Sequence, residues 1–64
     1  MQDLVKTLPL TKRERDAAVL ASQGKLNKEI AHELFITEGT VKIYLVRVFI
    51  KLGIKRRTEL IGRV

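Results

Sequence analysis

A chain of 64 residues is one domain, close to the lower size limit for folding on its own core; without cysteine, neither a disulfide framework nor a thiolate metal site can support it. An apolar share of 45% excludes a disordered polymer, and runs such as Ala17 to Ala21 are far too short to span a membrane. The net charge of +6 is unevenly placed: residues 1–41 balance six bases against six acids, whereas residues 42–64 hold seven bases and a single acid, Glu59. Such asymmetry points to a polyanionic partner, nucleic acid first and an anionic membrane surface second, with a basic tail kept for solubility as the plain alternative. The opening MQDLVK lacks the pattern of a secretory signal, so a soluble cytoplasmic protein is expected.

Residues 1–9 read as a lead-in in which Leu4, Val5 and Leu8 are available to pack. Thr11 then predicts a helix start, with its hydroxyl capping and Glu14 reaching back to complete a capping box. This helix runs to about Gln23, where Gly24 supplies a left-handed residue. Its apolar positions, Ala17, Val19, Leu20 and Ala21, are mostly small. Asn27 is the expected cap of a second short helix, Lys28 to about Leu34, with Ile30, Ala31 and Leu34 on one face. Leu34-Phe35-Ile36 leaves room only for a tight connection.

Thr37 caps a third helix, and Ile36 and Val41 take the N′ and N4 positions of a hydrophobic staple. Val41, Leu45, Val48 and Leu52 recur at helical spacing as a core stripe, and Gly53 ends the helix. Ile54 turns back inward. Thr58 to Arg63 is expected to make a last short helix with Leu60 and Ile61 inward. Two short helices joined by a tight turn, the second capped, stapled and basic, form the helix-turn-helix pattern, with an ordinary helical hairpin as the plainer alternative. Ala31 gives the small residue that lets the two cross closely. No Ser/His/Asp or Cys/His set is present, His32 has no second histidine to share a metal, and Glu14 and Glu29 read as cap or ion-pair partners for Arg57 or nearby lysines; no catalysis, metal or cofactor is expected.

Leu10-Thr-Lys-Arg-Glu-Arg15, Gly24, Asn27-Lys-Glu-Ile-Ala31, Ile36-Thr-Glu-Gly-Thr-Val-Lys42, Lys51-Leu-Gly-Ile54 and Arg57-Thr-Glu-Leu60 together resemble the LuxR/GerE-type DNA-binding domain, in order and without insertions. The resemblance implies an all-α, four-helix helix-turn-helix domain over residues 10–64. Its third helix would enter the major groove of double-stranded DNA, and its fourth would contact a second copy in a homodimer. It implies a bacterial transcription regulator without enzymatic activity, either standing alone or as the C-terminal effector part of a longer regulator; RNA polymerase is a further candidate partner, and binding to it in place of an isolated operator would favour a sigma-factor reading. By position, Lys42, Ile43 and Val46 fall where such proteins touch base edges, and Asn27, Lys28, Thr37 and Thr40 fall toward phosphates. Leu60, Ile61 and Val64 fall at the dimer contact.

Physical chemistry agrees with those placements. Helix N-termini offer free N–H groups to phosphate, lysine can donate to guanine, and aliphatic groups can touch the thymine methyl. Arg47 and Lys51, one and two turns beyond Lys42, are placed to hold the DNA backbone. Phe35 stands where helix-turn-helix units often need glycine for a positive φ. Tyr44 reads as a core-edge aromatic. Ile43, Val46 and Ile50 form a second apolar stripe away from the core; the first two suit DNA, while Ile50 is open between DNA and a protein contact. A promoter-reading sigma-factor domain and a protein-interaction module (an anti-activator or adaptor) are the alternative functions.

Overall fold

The computed structural model describes residues 9–62; the expected packing of Leu4, Val5 and Leu8 and the dimer role of Val64 fall outside them. Three α-helices follow one another, α1 (Lys12–Ser22), α2 (Asn27–Leu34) and α3 (Glu38–Leu52), and then a 3-10 segment, Arg57–Leu60. No strand occurs among the described residues. The fourth helix expected over 58–63 is thus represented by a single tight turn.

The local reasons for these elements are visible at their ends. At α1 the box is complete: Glu14 N–H donates to Thr11 Oγ1 at 3.2 Å, and Thr11 N–H to Glu14 Oε1 at 2.9 Å. At α2 the cap shifts by one residue from the expected Asn27. Leu26 occupies the cap position with no side-chain cap bond, and its N–H donates instead to Glu29 Oε1 at 2.7 Å. Thr37 caps α3, accepting from Thr40 N–H at 3.1 Å.

All three helices end in the same way. In each, the N–H of a left-handed residue and that of its successor turn back to carbonyls of the last turn, the Schellman arrangement. At α1, Gly24 donates to Ala21 at 3.0 Å and Lys25 to Leu20 at 3.2 Å; at α3, Gly53 donates to Ile50 at 3.2 Å and Ile54 to Phe49 at 3.0 Å. At α2 the left-handed residue is Phe35, with φ 58° and ψ 44°, and Ile36 N–H donates to Ala31 at 3.0 Å. A side chain in that conformation costs about 1 to 2 kcal/mol. The phenyl ring recovers none of it by burial, being 93% exposed. What the turn achieves is the return of Ile36 to the core without a loop residue to spare.

The core gathers Ala17, Ala18 and Ala21 of α1, Ile30 and Ala31 of α2, Val41, Leu45 and Val48 of α3, with Ile54 and Leu60 closing it from below. Alanines on α1 let its backbone approach the others, so α1 lies against α3, α2 and the 3-10 segment at once. The Cα radius of gyration, 11.0 Å, is close to the roughly 10.7 Å expected for a packed chain of this length.

Candidate nucleic-acid interface

The staple and the cap aim α3. Ile36 packs against the core beside the fully buried Val41, which fixes the angle at which the chain enters the helix. With Val41, Leu45 and Val48 inward, the opposite side of α3 faces solvent: Lys42 is exposed, as are Ile43 (54%), Val46 (50%), Arg47 and Ile50 (39%). Tyr44 is half-buried at the core edge. The three residues expected at base edges therefore share one accessible surface with Arg47.

Of the expected phosphate group, Lys28 is exposed at the first turn of α2, and Thr37 and Thr40 stand together at the start of α3. Their hydroxyls lie 3.0 Å apart. Since Thr37 Oγ1 already accepts from Thr40 N–H, one hydroxyl hydrogen serves the pair and the other is left to donate outward. Lys28, Lys42 and Arg47 make no ion pair among the described residues.

Two expectations are corrected. Lys51 does not reach outward: its Nζ donates to Glu14 Oε1 at 2.6 Å and to the Pro9 carbonyl at 3.3 Å, with the two charged side chains only 8% and 2% exposed. Burial pushes the Glu14 carboxyl up, but the Lys51 ammonium and the Thr11 amide and hydroxyl outweigh it, so the group titrates below its ordinary value of 4.5. Lys51 is a strut between α1 and α3, already engaged by the protein itself. Leu60 is likewise no dimer contact, because it is fully buried under α1, whereas Ile61 next to it is 70% exposed. A tight 3-10 turn ending at Leu60 sends these neighbours in opposite directions, where one face of an α-helix was expected to carry both.

Arg57, expected as an ion-pair partner of Glu14 or Glu29, pairs with neither: Glu14 takes Lys51 and Glu29 accepts from the Leu26 N–H. Its guanidinium donates from Nη1 to Asn27 Oδ1 at 2.8 Å and from Nη2 to the Lys25 carbonyl at 2.5 Å. It ties the 3-10 segment to the start of α2, and it fixes the Asn27 side chain so that its amide nitrogen is left for other acceptors. Only the Arg-Thr-Glu pattern hinted at it. His32 is exposed, no group of His, Asp or Glu that could hold a metal occurs among the described residues, and no helix there is long and apolar enough to cross a membrane.

Residues 8–64 match the model of the GerE domain of bacterial regulatory proteins, luxR family. The chain is 45% identical over 64 residues to the transcriptional regulatory protein DesR of Bacillus subtilis (strain 168), covering 98% of the chain and 32% of DesR. It is 50% identical over 50 residues to the spore germination protein GerE of the same organism, covering 78% of the chain and 68% of GerE. To the DNA-binding transcriptional activator DevR/DosR of Mycobacterium tuberculosis it is 48% identical over 50 residues, 78% of the chain and 23% of that protein. The chain thus spans about a third of DesR and about a quarter of DevR/DosR. No solved structure shows a significant match.

Proposed function

The chain belongs to the luxR family of bacterial regulatory proteins, and we propose that it regulates transcription by binding double-stranded DNA with α3 seated in the major groove. The observation that supports this most is the outward face of α3. A helix held rigidly by cap, staple and buried stripe offers Lys42, Ile43, Val46 and Arg47 together, with the cations unpaired. Lys42, Ile43 and Val46 read base edges. Arg47, Lys28, the Thr37–Thr40 hydroxyls and the amide of Asn27 hold phosphates on either side.

In the four-helix arrangement the 3-10 segment stands in the place of the fourth helix, and Ile61 is the side chain it offers to a second copy. RNA polymerase is a further partner of this reading. Selection from a pool of randomised duplexes tests it. A single preferred motif is expected, with affinity falling steeply as salt rises because each phosphate neutralised releases counterions. Equal affinity for every duplex in the pool would refute base reading. A palindromic motif would support paired binding by two copies.

A further inference from the structure

The outward face of α3 has a centreline as well as flanks. Counting about 100° per residue, Val41, Leu45, Val48 and Leu52 cluster around one direction, and Ile43 and Ile50 both stand within about 10° of its opposite. Val46 lies about 50° to one side and Arg47 about 50° to the other. The line that would lie deepest in a groove is therefore aliphatic, and the cations flank it. Resting on the DNA-binding reading above, we propose that Ile50 is a further specificity-determining residue. It touches a thymine methyl, and the chain selects a half-site read largely through thymine methyl groups.

Three observations support this. Ile50 is 39% exposed on the same line as Ile43 at 54%, so both are open to a ligand that follows the helix axis. Seven residues separate them, about 10.5 Å at 1.5 Å each, which is close to three base-pair steps of about 3.4 Å, so the two side chains meet the groove in one register. Finally, Lys51 is held against Glu14 and Arg47 is placed toward phosphates, which leaves no polar base reader beyond Lys42 on this half of the face. Thymine alone presents a methyl group in the major groove, and β-branched isoleucine, stiff at χ1, places its own methyls with little entropy to lose. The unpaired Lys42 and Arg47 beside the stripe favour a polyanion over a protein as its occupant.

The test uses the full chain and its selected duplex. Each thymine is replaced in turn by deoxyuracil, which removes the methyl and keeps the pairing. At the thymine facing Ile50, wild type is expected to lose about three- to fivefold in affinity, the worth of one buried methyl. Ile50→Ala, checked for an unchanged melt, is expected to be insensitive at that thymine and still sensitive at the others. Equal deoxyuracil penalties in wild type and Ile50→Ala would overturn the assignment, as would a protein partner lost by Ile50→Lys while every deoxyuracil response stayed intact. Indifference of wild type to every replacement, with its preferred motif retained, would overturn methyl reading. Absence of any preferred duplex would instead refute the reading it rests on.

Discussion

Replacing Lys51 with methionine keeps an unbranched apolar stem of nearly the same length and removes the charged tip, leaving the Glu14 carboxylate, 2% exposed in the native fold, with only Thr11 to satisfy it. Breaking a buried pair from one side costs about 3 to 5 kcal/mol. The Thr11 N–H bond at 2.9 Å survives, which places the expected loss at the lower end, about 3 kcal/mol. A domain this long holds in total about 3 to 10 kcal/mol, so the variant sits at the edge of folding. Its thermal midpoint is expected to fall by about 12 to 24 °C, read by circular dichroism.

The pH dependence sharpens the test. In wild type the Glu14 carboxyl is held below its ordinary 4.5, so its contribution is fully present above that pH and is lost as the pH falls through the lowered value. In Lys51→Met, burial is opposed by Thr11 alone and the carboxyl moves up, taking a proton that relieves the buried charge. The gap between the two proteins therefore shrinks on acidification below pH 4.5. A loss under about 1 kcal/mol at neutral pH, or one equally large at pH 3.5, would refute a buried ion pair of this worth. DNA binding gives a second check: the salt slope of the folded variant should equal that of wild type, and a slope shallower by about one would return Lys51 to a phosphate.

Lys42→Ala is expected to cost about 1 to 3 kcal/mol on the preferred duplex and to relax preference at one base pair, measured on a series of base-substituted duplexes. Phe35→Gly relieves a left-handed φ and gives up almost no buried area, so urea unfolding should show a gain of about 0.5 to 1 kcal/mol. Arg57→Ala frees the start of α2 and should destabilise the fold by about 2 kcal/mol. It should also weaken binding to all duplexes alike, with the salt slope unchanged, and Arg57→Lys should restore only part of the loss because one ammonium cannot span both acceptors.

What could be read in the sequence was local. Thr11 with Glu14, Thr37, the staple of Ile36 and Val41, and Gly24 and Gly53 each act within five residues, and each is found where its chemistry placed it. The core stripe of α3 follows from periodicity alone. Contacts between distant residues were out of reach. Glu14 reads as a cap, but its second partner lies 37 residues away, and Arg57 finds Asn27 across 30. The count of seven bases in the last 23 residues therefore overstated the charge offered outward, since Lys51 and Arg57 turn inward. A helical period would put Leu60 and Ile61 inward together, and a 3-10 turn does not keep that period. Asn27 has the chemistry of a cap for α2, yet Glu29 serves the Leu26 N–H and Asn27 Oδ1 accepts from Arg57.

The Arg57 clamp makes two distant surfaces share one mechanical element. On one side of it lies Ile61, exposed at the end of the chain's last segment; on the other lies the start of α2, turned toward the proposed DNA backbone. A contact at Ile61 that shifted the segment would move Asn27 through the 2.8 Å bond to its Oδ1 and the Lys25 carbonyl through the 2.5 Å bond beside it. Energy spent at one surface would then appear as affinity at the other, and thermodynamic linkage makes the exchange reciprocal. Cooperativity between assembly and operator occupancy would then depend on a single guanidinium, and Arg57→Lys would weaken the coupling in addition to the partial loss of binding expected of it.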